Sequence, residues 1–171
     1  MRLAGLAALL LATAMPGTQL AKPKIPRAAL APLEGGFDAS LSRPGQQPPF
    51  DLLGNTRAVY LKGYGVVFTA ELNLIIAPRI TPFRQFIAKE DVEKVYRQKL
   101  ANLEPLRKAM RELLATSAAS LNALPPNEQI VVSVTLFYYS WEQKSGLPSQ
   151  ILMQASKGEL VQGRDPAVEE L

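Results

Sequence analysis

Carboxylates are the side chains best placed for chemistry in this sequence. None of its 171 residues is His or Cys, which excludes imidazole-assisted and thiol catalysis. Glu71 falls inside a predicted strand between Thr69 and Asn73, where carboxylates are uncommon, and is a candidate catalytic acid, base or cation-binding group. The alternative, which we favour, is a solvated sheet face where Glu71 meets Ser133, Thr135 or a lysine of a neighbouring strand.

A second carboxylate, Glu142, follows Trp141 where another predicted strand opens into a loop, a common place for functional residues. Glu71 and Glu142 are the two candidates for a carboxylate-dependent hydrolase, although no spacing in the sequence brings them together. Tyr139 and Trp141 belong to an aromatic-rich run and, with Tyr64, are candidate binding residues for a carbohydrate or a peptide. Ordinary strand and core packing explains the same aromatic residues, and we favour that interpretation.

Motifs for phosphate, dinucleotide, zinc or activated-serine chemistry are absent from the sequence. Residues 62–65, Lys-Gly-Tyr-Gly, contain two glycines but neither a third glycine nor a following helix, and so indicate a turn. The sequence therefore predicts no cofactor and no metal site, and it favours a protein without catalytic activity. A net charge of +4, with basic residues interleaved among glutamates, also argues against nucleic-acid binding.

The candidate residues lie in or next to predicted strands, in which apolar and polar side chains alternate. Residues 57–76 form a strand-like run that alternates strictly from Val66 onward, so one face must be buried. Residues 129–139 form a second strand with apolar side chains on both faces, which predicts a central position. Residues 149–156 form a third, shorter strand. We predict two hairpins, one on each side of a helix, within an antiparallel sheet.

A long helical pattern between the two hairpins supplies the cover for the sheet. Apolar or small residues recur at intervals of three, four or seven between about residues 89 and 123: Val92, Tyr96, Leu103, Leu106, Met110, Leu113, Ser117 and Leu121. Pro105 interrupts the pattern without changing its phase, which predicts a kink or break between residues 102 and 105. The predicted fold class is α+β, an antiparallel sheet in β-β-α-β-β order packed on one long helix kinked near Pro105.

The N-terminal residues have the pattern of a secretory signal peptide at residues 1–14. Arg2 precedes an apolar run, and Ala12-Thr13-Ala14 forms a small-residue cleavage site. The run is too short to span a bilayer, and we therefore expect cleavage after Ala14 rather than a retained anchor. Residues 15–54 are rich in Pro and Gly and predict a flexible arm. Residues 55–160 then form the α+β domain, and residues 161–171 form an acidic tail.

Two stretches resemble a family of uncharacterised exported bacterial proteins: VYLKGYGVVFTAELNLI at residues 59–75 and LPPNEQIVVSVTLFYYSWE at residues 124–142. The shared pattern is a GYG-VFT strand, a helix rich in Arg, Leu and Met, and a second strand that ends in aromatic residues. The resemblance implies an exported bacterial origin. It brings no catalytic residue and no known activity to this sequence.

An exported location and few catalytic side chains favour a non-catalytic binding or structural module of the bacterial periplasm or cell envelope. We expect its partner to be an envelope protein or another envelope component, with no nucleic acid and no membrane anchor after cleavage. Two alternatives stay open. One is a hydrolase that uses Glu71 and Glu142, and the other is a carrier of a small apolar ligand with a cavity lined by Phe68, Leu72 and Met110.

Overall fold

A computed structural model describes residues 25–42, 50–83 and 85–171. The predicted signal peptide at residues 1–14 lies outside the described residues, as do residues 15–24 and 43–49 of the predicted arm. The described elements follow one another as α1 (Arg27–Leu41), β1 (Asp51–Leu52), β2 (Arg57–Leu61), β3 (Gly65–Asn73), α2 (Lys89–Ser120), β4 (Gln129–Leu136), β5 (Gln150–Ser156), α3 (Lys157–Val161) and β6 (Ala167–Glu170).

The strands form one mixed sheet in the order β1-β3-β4-β5-β6, and β2 pairs with β3 as well. The pairs β2–β3, β4–β5 and β5–β6 are antiparallel. β3 and β4 run parallel, from the pair Gly65 and Gln129 to the pair Leu72 and Leu136. The α+β class and the single long helix are confirmed.

The prediction of an antiparallel sheet was wrong at the β3–β4 pair. The chain passes between these strands through α2, whose 32 residues return it to the end of the sheet where β3 began. A crossover of this length makes the two strands parallel, whereas an antiparallel pair needs only a short turn. The kink predicted at Pro105, which lies inside α2, stays a prediction.

α2 covers one face of the sheet, and the core lies between the helix and that face. Leu106 and Met110 of the predicted stripe are fully buried. They belong to the same cluster as the fully buried side chains of the sheet: Val66, Phe68, Leu72, Ile130, Val134, Ile151 and Met153. The opposite face, here called the open face, carries Thr69, Glu71 and Thr135, which are exposed to solvent. Strand alternation therefore separates core from solvent as the sequence pattern requires.

Helix α1 lies within residues 15–54, which the composition predicted as a flexible arm. Four apolar side chains, spaced three or four residues apart, are buried in the main core: Leu30, Leu33, Phe37 and Leu41. Their burial offsets the unfavourable effect of Pro32 inside the helix. Tertiary packing therefore outweighs a composition that is typical of a linker.

Two carboxylates of α1 close the outer edge of β2. Asp38 accepts a hydrogen bond from the backbone N–H of Thr56 at 3.1 Å, and Glu34 accepts one from the N–H of Ala58 at 2.6 Å. Glu34 also pairs with Arg27. The spacings match, because four helical residues rise about 6 Å and two strand residues rise about 6.6 Å. The helix thereby satisfies strand groups that would otherwise be free to pair with another chain.

The C-terminal residues also differ from their prediction as an acidic tail. Residues 167–170 form β6, which pairs with β5 at the edge of the sheet. Arg107 of α2 donates hydrogen bonds to both carboxylate oxygens of Glu170, at 2.7 Å and 3.0 Å. Backbone pairing and this bidentate contact hold the segment although its side chains are exposed.

The turn between β2 and β3 explains the Gly-Tyr-Gly sequence. Gly63 has a φ of 80° and Gly65 a φ of 143°, values that side-chain-bearing residues rarely adopt. A Cβ on Gly65 would overlap the carbonyl oxygen of Gln129 in β4. The carbonyl of Tyr64 accepts a hydrogen bond from the N–H of Gln129 at 2.7 Å. The parallel pairing of β3 and β4 therefore starts at a site that only glycine fits.

We expect Gly65→Ala to lower the free energy of unfolding by about 3 kcal/mol or more, because the new methyl group must push β4 away from β3. Gly54→Ala is the matched control, since the space around Gly54 is open. Urea denaturation of the two variants measures the difference. Equal stability of both variants would contradict the close approach of the strands at Gly65.

Glu34 makes the stability of the fold sensitive to acid. The hydrogen bond from Arg27, supported by that from the N–H of Ala58, lowers the pKa of Glu34 below its usual value of 4.5. The contribution of Glu34 to stability is therefore complete above the pKa of the unfolded chain and is lost as pH falls through the lower pKa of the folded state.

We expect Glu34→Gln to destabilise the protein by about 1–3 kcal/mol at neutral pH and to reduce the further loss of stability below about pH 4. Urea denaturation across this pH range measures both effects. Glu93→Gln, at an exposed position of α2, is the control and should keep the wild-type acid dependence. An unchanged acid dependence in Glu34→Gln would refute the role of this carboxylate at the β2 edge.

Candidate functional site

Glu71 lies on the open face of the sheet, with its side chain in solvent. Its neighbour in the parallel register is Thr135, one of the partners expected for a solvated sheet face. Both residues line a cleft of about 310 Å³, whose other polar lining residues are Asn55, Arg57 and Thr69. Among the described residues that line this cleft Glu71 is the one acid, whereas glycoside hydrolysis needs two carboxyl groups in one site.

Glu142 lies elsewhere, beneath α2 and beyond the end of β4. Its side chain is fully buried and forms an ion pair with Lys99, which is also fully buried. A carboxylate without solvent access cannot share a substrate with Glu71 on the open face. The structure therefore does not bring the two candidate carboxylates into one site.

The ion pair of Lys99 and Glu142 holds the loop that follows β4 against α2. The ammonium group of Lys99 also approaches the carbonyl of Phe137 at 3.4 Å and lies 4.4 Å from the ring centre of Tyr138. Burial lowers the pKa of Lys99, and the hydrogen bond to Glu142 opposes this shift. The hydroxyl of Tyr138 donates to the carbonyl of Pro148 at 2.6 Å, which closes the loop on itself.

The sequence indicated that Lys99 is buried, but we did not recognise this because we followed only the apolar residues of the helix. The stripe passes from Tyr96 to Leu103 with a gap of seven, and Lys99 occupies the position within this gap that faces the core. A lysine on the buried face of a helix needs an opposite charge. Its partner, Glu142, lies 43 positions further along the chain, and only the fold reveals it.

The predicted aromatic platform is divided between the two ends of the sheet. The rings of Tyr139 and Trp141 stack nearly parallel, with their centres 5.9 Å apart. They lie beyond the carboxyl end of β4, whereas Tyr64 lies in the turn that precedes β3. Because β3 and β4 are parallel, these positions are at opposite ends, and Tyr64 is not part of a site with the other two.

The loop between β3 and α2, residues 74–88, exposes four large apolar side chains. Phe83 is fully exposed and Phe86 is 78 % exposed, while Ile76 and Ile80 are more than half exposed. Burying a side chain of this size stabilises a protein by about 1.5–3 kcal/mol relative to leaving it in water. Contiguous exposed apolar surface marks interaction sites, and these four side chains fall within eleven consecutive residues. This segment, here called the β3–α2 loop, is the candidate interaction surface.

The base of the β3–α2 loop is fixed to the body of the domain. Ile75 and Ala77 are buried against Val95 of α2, and Tyr139 and Trp141 pack on this small cluster. The two aromatic residues that the sequence predicted as a binding platform thus pack against the base of the loop. Exposed Ile76 lies between buried Ile75 and Ala77, and exposed Ile80, Phe83 and Phe86 follow within the next nine residues, so the fixed base and the exposed side chains are parts of one segment.

Sequence reasoning did not recognise this surface. A signal was present, because large apolar residues at positions 76, 80, 83 and 86 are unusual in a loop rich in turn-forming residues. The sequence alone could not distinguish a loop folded onto the core from one that exposes these side chains.

No protein-family model, curated protein or solved structure matches this chain. The family resemblance carried by residues 59–75 and 124–142 therefore stays a prediction. Across the ranges that the structure describes, no helix is both long and apolar enough to span a bilayer. The same ranges hold no group of three or more His, Cys, Asp or Glu side chains arranged to bind a metal ion.

We expect Lys99→Met and Glu142→Leu each to lower the free energy of unfolding by about 3–5 kcal/mol, because each leaves one buried charge without its partner. The double variant removes both charges and should lose much less than the sum of the two single changes. Urea denaturation of the four proteins in this cycle measures the coupling.

The matched control for this cycle is Arg111→Ala, which breaks the exposed pair with Glu104 and should change stability little. Additive losses in the double variant would show that Lys99 and Glu142 do not depend on each other.

Proposed function

We propose that this chain is an exported bacterial protein whose folded domain is a non-catalytic binding module of the cell envelope. The observation that carries the proposal is the β3–α2 loop, which presents Phe83 and Phe86 to solvent from a fixed base. The predicted signal peptide at residues 1–14 supports an envelope location.

The position of the loop supports a binding role. Ordering a surface loop on binding normally costs conformational entropy, which weakens the complex. Here Ile75 and Ala77 already hold the chain on either side of Ile76, and the amide of Asn102 donates to the carbonyl of Leu74 at 2.6 Å. A loop anchored at its base can present apolar side chains without first losing much freedom.

The surroundings of the two candidate carboxylates agree better with a binding module than with a hydrolase. No second acid accompanies Glu71 among the described residues of its cleft, and Glu142 forms a buried ion pair with Lys99. The alternative of an apolar-ligand carrier receives no support from Phe68, Leu72 and Met110, which are fully buried within the main core. We therefore retain the binding module as the proposed function.

Production of the full chain in a bacterium tests the proposal. We expect the protein in the envelope fraction, with a mass that corresponds to removal of residues 1–14. Phe83→Ser with Phe86→Ser should keep the cleavage but release most of the protein into the periplasmic extract, because the apolar surface is lost. Mass spectrometry of the separated fractions measures both properties.

The matched control is Val161→Ser with Leu171→Ser, which removes two exposed apolar side chains outside the loop and should leave the distribution unchanged. Uncut protein in the cytosol would contradict export. Envelope retention of the loop variant at the wild-type level would contradict binding through the β3–α2 loop.

A further inference from the structure

We infer that the β3–α2 loop binds the surface of an anionic lipid bilayer, an inference that rests on the binding role proposed above and names its partner. Four apolar side chains of the loop are each more than half exposed: Ile76, Ile80, Phe83 and Phe86. Protruding side chains of this kind fit a fluid partner that closes around them. The boundary between headgroups and acyl chains accepts aromatic and aliphatic groups to a depth of about 5–10 Å.

The charge of the loop complements acidic headgroups. The loop itself, residues 74–88, contains Arg79 and Arg84 and no Asp or Glu, and Lys89 follows it as the first residue of α2. The side chain of Arg79 is 66 % exposed, although a guanidinium nitrogen lies 3.7 Å from a carboxylate oxygen of Asp51. Basic residues beside an apolar surface strengthen binding to anionic lipid, and raised salt weakens this contribution.

Besides Asp51, which lies beside Arg79, the first acids that follow the loop in the chain are Glu90 and Asp91, in the first turn of α2. The amino end of a helix carries a partial positive charge, which offsets part of the charge of these two side chains. Glu93, Lys94 and Arg97 follow one turn later at exposed positions of the same helix. Residues 74–97 therefore contain five basic and three acidic residues, an excess of positive charge.

The fixed base explains how the loop can enter a bilayer surface without unfolding the domain. Ile75, Ala77 and Val95 remain buried together, and the stacked rings of Tyr139 and Trp141 pack against them. Ile80, Phe83 and Phe86 are exposed and are not part of this cluster. Insertion would thus transfer to lipid only groups that face solvent in the free protein, and the core would stay intact.

Vesicle sedimentation with the purified full chain tests the inference. All proteins in the series carry Leu6→Gln and Leu10→Gln, which make the predicted signal peptide too polar to bind vesicles on its own. We expect binding to vesicles of equal parts phosphatidylglycerol and phosphatidylcholine, and much weaker binding to pure phosphatidylcholine. Phe83→Ser with Phe86→Ser should weaken binding to the anionic vesicles about tenfold or more.

Two further double variants distinguish the contribution of charge to vesicle binding from that of the apolar side chains. Arg79→Gln with Lys89→Gln should remove most of the preference for phosphatidylglycerol, and Val161→Ser with Leu171→Ser should bind as the parent does. In a Phe83→Trp variant, the fluorescence emission of the introduced tryptophan should shift to shorter wavelength when anionic vesicles are present. Circular dichroism confirms that each variant is folded before its binding is compared.

Equal vesicle binding by the parent and by the Phe83→Ser, Phe86→Ser variant would overturn the inference, as would no binding by the parent. If the parent fails to bind vesicles while envelope retention in cells still depends on the loop, the partner is a protein and the proposed function stands. If vesicles are bound through the loop but the chain is found uncut in the cytosol, the lipid inference stands and the proposed location fails.

Discussion

The parallel contact between β3 and β4 determines most of what is distinctive in this structure. Parallel neighbours end at the same edge of a sheet, so the segments that leave their carboxyl ends meet there. For this reason Ile75 and Ala77, which follow β3, share a cluster with Tyr139 and Trp141, which follow β4. In an antiparallel pair the two segments would lie at opposite ends, and the β3–α2 loop would have no aromatic support.

Several buried and half-buried charged groups serve the fold itself. Glu34 and Asp38 of α1 accept hydrogen bonds at the β2 edge, and Lys99 is neutralised by Glu142. The ammonium group of Lys157 approaches the carbonyls of Leu121 and Leu124, near the end of α2, at 2.8 Å and 2.9 Å. Each group compensates a polar atom or a charge that burial would otherwise leave unsatisfied.

Local sequence patterns predicted correctly those features that depend only on residues close together in the chain. The alternation from Val66 to Leu72 placed the buried face of β3, and the spacing of Leu103, Leu106 and Met110 placed the buried face of α2. The same reasoning missed α1, because Pro32 and two adjacent glycines disfavour a helix. The helix forms because its apolar side chains are buried in the core, which a local pattern does not reveal. The same reasoning also placed Tyr64 with Tyr139 and Trp141, since the sequence does not state which ends of the strands coincide.

The sequence by itself determined the α+β class, the long amphipathic helix and the need for glycine in the turn before β3. It also determined the absence of His and Cys side chains for catalysis. These properties follow from periodicity and residue type, which act over a few positions. Tertiary structure alone decided the direction of β4 against β3, the pairing of Lys99 with Glu142 and the exposure of the β3–α2 loop. Those features depend on contacts between residues far apart in the chain, where the free energy of packing rather than local preference selects the arrangement.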